Sequence, residues 1–438
     1  MLDSREISAK VLFNVFSGKS IDDAISSNTH YSRLTQRDRS LVSLIVLNSL
    51  RRNGQVEAIM SNFIKRPIKD NKFIKYLLKI SIVQLLYLDF PEYSTVHTAV
   101  EISKKYKSEK FMNAVLRNIC RQKKDLLNKT PLTLNIPLWI KKNIKGLLGK
   151  EEFFNVASQI SREPFLDINI KKESFKERKW ETVFKGKNIF ENVVRVKNPS
   201  SIKKLPFYND GVWWVQGLSA TLPVFLINKI FANRNKDNIS ILDVGSAPGG
   251  KAFQLLDLGF KVKSIEISKR RIEILKSNFE RLKFKSEIIN CDFLNFDQKE
   301  KFDCILIDAP CSGSGLMQKK PEILVTQKRI DPLLKKQSSM LKKASRLVKD
   351  GGCIIYAVCS LLKNEGEGQV LKFIKNENDF YLKSIFSDLD TFGLTLKSNT
   401  FITTPAHLSE EGGMDGFFIA CIFKNDKLRK HNDNKQKI

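Results

Sequence analysis

Residues 241–256 read "ILDVGSAPGGKAFQLL", which combines an apolar strand pattern, a glycine-rich turn and an amphipathic helix pattern. Glycines at positions 245, 249 and 250 allow the backbone to turn sharply and to approach a ligand that a Cβ atom would block. The spacing D-x-G-x-x-x-G differs from the dinucleotide pattern G-x-G-x-x-G, and Lys251 is not followed by the Ser or Thr of a phosphate loop. The stretch therefore predicts an α/β domain that binds a nucleoside without a phosphate clamp.

Alternating strand and helix patterns extend on both sides of this stretch. Two clear amphipathic helices, "SKRRIEILKSNFERL" and "PLLKKQSSMLKKASRLV", lie between short apolar runs of strand length. Strands joined by crossover helices form a doubly wound, mostly parallel sheet. The strand candidates are "NISILDV", "KVKSIEI", "KSEIINC", "FDCILIDA", "GCIIYAVC" and "GFFIACIF". We therefore expect a Rossmann-like α/β domain over residues 216–424.

The residues before this domain have a different pattern. Between residues 4 and 127, apolar side chains recur every three or four positions, as in "RDRSLVSLIVLNSLRR" and "KFIKYLLKISIVQLLYLDF". This periodicity is typical of amphipathic helices, so we expect an all-α bundle of five to seven helices over residues 1–130. Residues 131–215 mix helix and short strand patterns and predict a small α+β module or linker. Residues 425–438 are polar and basic and predict a disordered tail.

The charge of the chain is strongly unbalanced. Among 438 residues, 75 are Lys or Arg and 47 are Asp or Glu, which gives a net charge of +28. Such an excess suits a polyanion, because basic side chains displace the counterions that condense on phosphates. A compositional bias toward lysine would raise the net charge without any binding site. The charge therefore favours a nucleic acid partner without identifying it.

The sequence has no pattern for export, membrane insertion, disulfides or metal binding. The opening "MLDSREISAK" lacks the apolar core of a secretory signal, and no apolar run of about 18 residues follows. The seven cysteines are dispersed and include no CxxC pair, so neither a disulfide framework nor a metal site is predicted. We expect a cytoplasmic protein that binds neither metal nor membrane.

Acidic residues follow the predicted strands. Glu266 ends the second strand, where an acid commonly accepts hydrogen bonds from ribose hydroxyls. Asp292 follows the third strand and Asp308 ends the fourth. The carboxyl ends of parallel strands share one edge, so these acids and the glycine turn predict a nucleoside pocket, unless they only cap helices and close a strand. S-adenosylmethionine suits this pocket, since its sulfonium needs no phosphate clamp.

Two cysteines lie at adjacent strand ends beside this pocket. Cys311 follows the fourth strand in "DAPCSGSG", and Cys359 ends the fifth in "YAVCSLL". A single buried cysteine is usually a small apolar residue, and we interpret Cys304 and Cys353 in this way. A hydrolase is disfavoured, because the chain has no G-x-S-x-G elbow here and no histidine at a strand end.

A pair of thiols beside a methyl donor indicates methylation at C5 of a pyrimidine. This carbon is too weak a nucleophile to attack a sulfonium unaided. A thiolate that adds to C6 turns the ring into an enamine, whose C5 attacks the methyl group. A base must then remove the C5 proton so that the thiol leaves, and a carboxylic acid such as Asp308 can donate to the ring edge.

The motifs "APGGK", "DAPCSGSG" and "YAVCSLL" together resemble those of the RsmB/NOP family of RNA cytosine-C5 methyltransferases. The segments "SLIVLNSLRR", "LLKISIVQLLYL" and "FMNAVLRNI" resemble the NusB-like RNA-binding domain that is fused to the catalytic domain in the bacterial 16S rRNA members. The resemblance spans nearly the whole chain. It implies S-adenosylmethionine-dependent methylation of a 16S rRNA cytosine through a covalent cysteine–C6 adduct, by a monomer acting on unassembled or partly assembled rRNA.

The resemblance also assigns roles to individual residues. The nucleophile of the family falls on Cys359, its release cysteine on Cys311, and its substrate-contacting acid and lysine on Asp308 and Lys251. Its donor-binding positions fall on Gly245, Ser246, Ala247, Pro248, Gly249, Gly250, Lys251, Glu266, Asp292 and Asp308. Two alternatives stay open: the same chemistry on tRNA or another RNA, and a non-catalytic RNA-binding or ribosome-assembly factor.

Several positions depart from the family pattern. The glycine loop begins with Gly245 where the family usually has a cysteine, and Lys363 and Gly366 stand where a proline and an asparagine usually follow the nucleophile. None of these departures removes a thiol or a cofactor acid, so we expect activity to be retained. Residues 317–343 carry eight Lys or Arg and either hold RNA phosphates or form a solvated helix face. The tryptophans at 213–214 either stack on a base or pack in a core.

Overall fold

The computed structural model describes residues 3–144, 148–197, 201–326, 329–383, 385 and 399–426. The chain forms two compact units, one of residues 1–163 with 316–328 and the other of residues 164–315 with 329–438. The boundaries expected at residues 130, 215 and 424 stay predictions. Most of the predicted C-terminal tail, residues 427–438, lies outside the described residues. No helix of the described residues is long and apolar enough to cross a membrane.

The first unit is a helical bundle, as predicted. Residues 3–130 form eight α-helices rather than five to seven, because the short helices α2 and α8 escape detection by periodicity. The bounds are α1 (Ser4–Phe16), α2 (Ile21–Ser26), α3 (Gln36–Arg51), α4 (Asn53–Phe63), α5 (Phe73–Leu86), α6 (Glu92–Lys104), α7 (Glu109–Arg121) and α8 (Lys123–Lys129). Two further helices, α9 (Leu138–Ile144) and α10 (Lys150–Ile160), follow in this unit.

Helix α5 is the centre of this bundle. Every residue from Tyr76 to Leu86 is buried, so the helix is surrounded by its neighbours on all sides. Its one charged residue in this stretch, Lys79, is 1% exposed and places its Nζ 2.6 Å from Glu57 Oε1. The partly buried Val325 packs against the core of this unit, and Arg51 donates to the carbonyl of Gln318 at 3.3 Å. These contacts account for the assignment of residues 316–328 to the first unit.

The second unit begins with a small antiparallel sheet. Its strands β1 (Leu166–Ile170), β2 (Lys187–Phe190), β3 (Val193–Val196) and β4 (Trp213–Val215) take the order β2-β3-β1-β4, with short helices α11 (Lys172–Phe175) and α12 (Trp180–Phe184). Trp213 and Trp214 are buried, which decides for core packing and against base stacking. The predicted α+β character of this region is therefore present from residue 166 onward.

A buried ion pair joins this small sheet to the rest of the second unit. Arg195 Nε lies 2.7 Å from Asp167 Oδ1, and both side chains are buried. Arg195 also donates to the carbonyls of Glu411 and Gly413 at 2.9 and 2.7 Å. Asp167 Oδ2 accepts from the main-chain N–H of Leu218 at 2.9 Å, where helix α13 (Leu218–Ile230) begins. Both charges are thus fully hydrogen-bonded, which a buried pair requires.

The large sheet is doubly wound and mostly parallel, as predicted. Its eight described strands are β5 (Ser240–Val244), β6 (Lys261–Glu266), β7 (Glu287–Asn290), β8 (Phe302–Asp308), β9 (Val348–Val358), β10 (Phe380–Leu382), β11 (Thr400–Thr403) and β12 (Phe417–Lys424). The order is β10-β12-β9-β8-β5-β6-β7, and β11 pairs with β12. The strands from β9 to β7 in that order pair in parallel, whereas β12 runs antiparallel to β9, so the sheet is mixed.

Helices cover both faces of this sheet. Along β8, Cys304 and Leu306 pack with α13, α14 (Gly250–Asp257) and α15 (Lys269–Leu282). Ile305 and Ile307 point to the opposite face and pack with α16 (Ile330–Leu347) and α17 (Glu367–Asn376). After β5 the chain continues to β6 on one side of β5, whereas β8 pairs with β5 on its other side. The crevice where the strand order reverses is the usual binding site of such sheets.

Candidate active site

The glycine-rich turn folds tightly against the two strands beside β5. Gly245 has φ +79°, and a Cβ atom there would lie 2.8 Å from the carbonyl oxygen of Asp308. The N–H groups of Gly245 and Ser246 both donate to the carbonyl of Ile265, at 2.9 and 3.1 Å. The departure at position 245 therefore has a local reason, because only glycine fits between β5 and β8 with this backbone conformation.

The rest of the turn is held by side chains of β6 and α15. Ser246 Oγ donates to Ser264 Oγ at 3.1 Å, the carbonyl of Ala247 accepts from Arg271, and the carbonyl of Pro248 accepts from Asn278 at 3.1 Å. The backbone then enters α14 with Gly249 at φ +116° and with Gly250 and Lys251 in the first turn. The predicted donor loop is thus an ordered strand–turn–helix.

Glu266 ends β6 and is 2% exposed. Its Oε1 accepts from the N–H of Ser268 at 3.0 Å, and its Oε2 lies 3.1 Å from Arg271 Nη1. Oε1 is therefore hydrogen-bonded, whereas Oε2 has an ion-pair contact but no hydrogen-bond partner among the described residues. Oε2 is thus the oxygen that can accept from a ribose hydroxyl, the ligand expected for this acid, beside the half-exposed Arg271.

Asp292 follows β7 and caps a short 3₁₀ turn. Its Oδ1 accepts from the N–H of Leu294 at 3.0 Å, and its Oδ2 lies 3.7 Å from Lys336 Nζ. This contact agrees with the alternative that the strand-end acids only cap helices, but the cap occupies only one of the two carboxylate oxygens. Asp292 therefore keeps an outward oxygen at the same strand edge as Glu266.

Asp243 is an acid that the sequence did not single out. It lies within β5, is 1% exposed, and neither carboxylate oxygen has a hydrogen-bond partner among the described residues. Burial raises the pKa of this carboxyl to about 6. A buried carboxylate beside the glycine turn fits a cationic ligand, and S-adenosylmethionine carries both an ammonium and a sulfonium. The donor set at this edge therefore fits the expected cofactor.

Lys251 and Asp308 form an ion pair across the crevice. Lys251 Nζ donates to Asp308 Oδ2 at 2.7 Å, so the first turn of α14 is joined to the end of β8. Burial alone would lower the pKa of the Lys251 ammonium, but the Asp308 carboxylate outweighs burial and raises it. The lysine is therefore a protonated, cationic donor at neutral pH.

The two strand-end cysteines lie side by side. Cys311 Sγ and Cys359 Sγ are 3.3 Å apart, within hydrogen-bonding distance for sulfur, and each is a free, partly exposed thiol. The hydrogen bond with Cys359, together with burial, raises the pKa of the Cys311 thiol well above its usual range. By contrast, Cys304 and Cys353 are buried in the core, as interpreted from the sequence.

A network of buried serines around Glu365 supports both cysteine loops, and the sequence did not reveal it. Glu365 is fully buried, and its carboxylate accepts hydrogen bonds from Ser312 and Ser360, the residues that follow the two cysteines. A polar stretch without periodicity, "KNEGEG", contains this acid, so its burial had no sequence signal. No described residues form a cluster of His, Cys, Asp and Glu suited to a metal ion.

The departure at Gly366 also has a structural reason. A Cβ atom at this position would lie 2.7 Å from the ring of Phe418 on β12. A larger residue there would displace either the ring or the start of α17. The ring of Phe418 therefore occupies the space that the side chain of the usual asparagine would need.

Comparisons with known proteins match both parts of the chain. Residues 229–423 match the family model described as "16S rRNA methyltransferase RsmB/F", and residues 2–121 match the model of the NusB family. The ribosomal RNA small subunit methyltransferase B of Shewanella oneidensis is 27% identical over 441 residues, covering 97% of this chain and 99% of the relative. The protein of that name from Escherichia coli O127:H6 is 28% identical and covers 90% and 92%.

Solved structures share the fold. The crystal structure of PH0851 has a TM-score of 0.72 at 19% sequence identity and covers 97% of this chain and 99% of its own. The structure of NSun6 from Pyrococcus horikoshii with SFG has a TM-score of 0.55 at 18% identity and covers 66% and 98%. At these identities the likeness concerns the fold of the chain.

Proposed function

Since the chain joins a methyltransferase domain of the 16S rRNA methyltransferase RsmB/F family to a domain of the NusB family, we propose that it methylates C5 of a cytosine in 16S rRNA. The family makes the chain an RNA methyltransferase whose methyl donor is S-adenosylmethionine, and it confirms the resemblance read from the cysteine motifs. The target carbon and the roles of the cysteines belong to the proposal.

One observation carries the choice of carbon: the two sulfurs lie 3.3 Å apart at the ends of adjacent parallel strands. A methyl transfer to a nitrogen or a hydroxyl needs at most a base to remove a proton. Only a ring carbon needs covalent activation before it can attack the methyl group. Two neighbouring thiols beside the donor crevice therefore support methylation at C5 through an adduct at C6.

We assign the attack to Cys359. The nucleophile of the family falls on this residue, and its sulfur interacts electrostatically with the Lys251 ammonium. The thiolate forms a bond to C6, and the electron pair of the C5–C6 double bond becomes available at C5 for the methyl group. Cys311, whose pKa is raised, keeps its proton during this step.

Lys251 and Asp308 are placed to hold the cytosine edge. The Lys251 ammonium donates toward the ring oxygen or nitrogen as negative charge develops there. The Asp308 carboxylate accepts from the exocyclic amino group, which uracil lacks. In this role Asp308 accepts a hydrogen bond instead of donating one as expected, because its Oδ2 already accepts from Lys251 Nζ at 2.7 Å.

S-adenosylmethionine supplies a methyl group on a positively charged sulfur. The Gly245 turn would lie close to the methionine part of the donor, and Glu266 and Asp292 would lie close to its ribose. Asp243 would then pair with a positive charge of the donor, which gives its two unpartnered oxygens a role. The acids of this strand edge thus bind and orient a cationic ligand.

Release of the product has two requirements: the C5 proton passes to a solvent water molecule while its bonding electrons re-form the C5–C6 double bond, and the Cys359–C6 bond breaks with its electron pair on sulfur. We assign the second requirement to Cys311. Its thiol lies 3.3 Å from Cys359 Sγ and can donate to this sulfur as it leaves as a thiolate. The pair then holds one proton again, with the arrangement it had before the attack.

The target cytosine must be accessible, because C5 of a stacked and paired base cannot reach a thiol in a crevice. We therefore propose that a monomer acts on unassembled or partly assembled 16S rRNA. The net charge of +28 supports binding to the RNA backbone.

The proposal is tested by incubating the purified chain with labelled S-adenosylmethionine and unmodified 16S rRNA, followed by nucleoside analysis. The expected product is labelled 5-methylcytidine. Label in another nucleoside would contradict the choice of C5. Label in tRNA but not in 16S rRNA would favour the alternative substrate, and donor binding without transfer would favour a non-catalytic factor.

A further inference from the structure

Glu365 is a buried carboxylate outside the residues assigned to catalysis or donor binding. It lies between β9 and α17 and is 0% exposed. A buried charge is stable only where hydrogen bonds replace the lost water. Its two oxygens therefore need several donors, and the identity of these donors indicates what the residue does.

The donors come from both cysteine loops. Glu365 Oε1 accepts from the N–H of Ser312 at 2.8 Å, and Oε2 accepts from the hydroxyls of Ser312 and Ser360, each at 2.6 Å. Ser312 directly follows Cys311, and Ser360 directly follows Cys359. One carboxylate therefore connects the residues next to the two reactive sulfurs.

Further hydrogen bonds fix the carboxylate in place. Gln337 of α16 donates to Glu365 Oε1 at 3.3 Å and to the carbonyl of Pro310 at 2.9 Å. The Tyr356 hydroxyl donates to the main-chain carbonyl of Glu365 at 2.7 Å. Because its neighbours hold it on several sides, Glu365 acts as a rigid connection between the loops rather than as a mobile side chain.

The charges around the thiol pair are arranged asymmetrically. Cys311, whose neighbour Ser312 donates to Glu365 at 2.6 Å, interacts electrostatically with the Glu365 carboxylate, whereas Cys359 interacts electrostatically with the Lys251 ammonium. Each thiol also faces the other. A negative charge disfavours a thiolate near it and a positive charge favours one, so the two ends of the pair differ in which protonation state they stabilise.

We propose that Glu365 is the positioning residue of the cysteine pair: its carboxylate holds the two loops together through Ser312 and Ser360, and its charge keeps the shared proton on Cys311. Cys359 is then the sulfur that reacts first with an electrophile. The division into nucleophile and release thiol rests on the proposed function, whereas the position of the proton can be measured without RNA or donor.

The test measures alkylation of each cysteine by iodoacetamide between pH 6 and 10, with peptide mass spectrometry to separate the sites. In the unmodified chain, Cys359 is expected to be alkylated faster than Cys311 at neutral pH. Glu365→Gln keeps the shape of the side chain and removes its charge. It is expected to lower the ratio of Cys359 to Cys311 alkylation by about fivefold or more, the effect of a nearby charge at an intermediate dielectric.

Glu367→Gln is the matched control. Glu367 lies two residues further on, is partly exposed and pairs with Lys363 at 3.3 Å, away from the thiols. Its replacement is expected to leave the alkylation ratio unchanged. Ser312→Ala removes one hydrogen bond but keeps the Glu365 charge, so most of the preference for Cys359 is expected to remain.

An alkylation ratio that stays constant in Glu365→Gln, or that changes equally in Glu367→Gln, would overturn the proposal. Thermal melting shows whether Glu365→Gln folds. If it does not fold, the Ser312→Ala variant is used to locate the proton. Loss of the preference for Cys359 alkylation in Ser312→Ala would then overturn the proposal. Methyl transfer is measured separately: Glu365→Gln is expected to lower kcat about tenfold or more with little change in KM for RNA. If the unmodified chain transfers no methyl group, the proposed function fails while the alkylation result still stands.

Discussion

Replacing Gly315 with alanine is expected to separate the two cysteine loops. The Gly315 N–H donates to the carbonyl of Cys359 at 3.1 Å, and the Gly315 carbonyl accepts from the N–H of Gly416 at 2.8 Å. Gly315 thus joins the loop after β8 to the loops at the ends of β9 and β12. A Cβ atom at this position would lie only 1.8 Å from the carbonyl oxygen of Gly416.

The size of the effect follows from this distance. A carbon atom and a carbonyl oxygen ordinarily approach to ~3.3 Å, so the backbone must move by about 1.5 Å to accept the methyl group. A misplacement of ~1 Å at a reactive centre costs on the order of 10²-fold in rate. Overpacking of this kind also costs ~1–3 kcal/mol of stability, which lowers Tm by several degrees. We therefore expect Gly315→Ala to fold but to transfer methyl groups about 100-fold more slowly.

The assay measures the rate of methyl transfer from labelled S-adenosylmethionine to 16S rRNA at saturating substrate, with thermal melting as the measure of folding. Donor binding should be largely retained, because the Gly245 turn and Glu266 lie at the ends of other strands, β5 and β6. Gly149→Ala is the matched control, since a Cβ atom there meets nothing within 4 Å, and its activity should equal that of the unmodified chain. A Gly315→Ala rate within about threefold of normal would refute the close approach of the loops as a requirement for catalysis.

Three further substitutions test other parts of the site. Asp243→Asn should weaken S-adenosylmethionine binding, measured by calorimetry. The pKa of Asp243 is about 6 in the folded state and lower in the unfolded state, so ionisation of this carboxyl destabilises the folded chain as pH rises from ~4 to ~6. The variant, which lacks this carboxyl, should therefore have a higher Tm at pH 7. Lys251→Met should lower the methyl transfer rate by 10²-fold or more and slow alkylation of Cys359, and an unchanged alkylation rate would contradict the electrostatic role of the lysine. Gly366→Asn should lower Tm because its Cβ meets the Phe418 ring at 2.7 Å, and Phe418→Leu in the same chain should recover part of the loss.

The fold was predictable where side-chain patterns are long enough to be periodic. The strands from β5 to β9 and β12 are apolar runs, and the sequence locates all of them. The strands β10 and β11 were missed, because they contain three and four residues and alternate too briefly to be distinguished from loops.

Burial inside the helical bundle was less predictable. The sequence of α5 looks like an amphipathic surface helix with lysines on its polar side. In the structure Lys79 is buried and neutralised by Glu57, so the helix is central. Whether α5 is central or at the surface depends on the packing of neighbouring helices, and the periodicity within one helix does not indicate this packing.

The site was predictable to the level of residue positions. Because the carboxyl ends of parallel strands share one edge, Cys311, Cys359 and Asp308 were expected at one edge of the sheet, and they lie there. Their interactions were not predictable. The ion pair of Asp308 with Lys251 and the burial of Glu365 depend on contacts between distant elements, for which local sequence contains no signal.

The central claim is that Cys359 forms the bond to the cytosine and Cys311 frees it. The most direct measurement incubates Cys311→Ala and Cys359→Ala with 16S rRNA and S-adenosylmethionine, isolates RNA–protein adducts on denaturing gels and sequences the cross-linked peptide by mass spectrometry. We expect Cys311→Ala to accumulate an adduct in which a methylated cytidine is attached to Cys359, and Cys359→Ala to form none. An adduct through Cys311 in Cys359→Ala, with none in Cys311→Ala, would contradict the account.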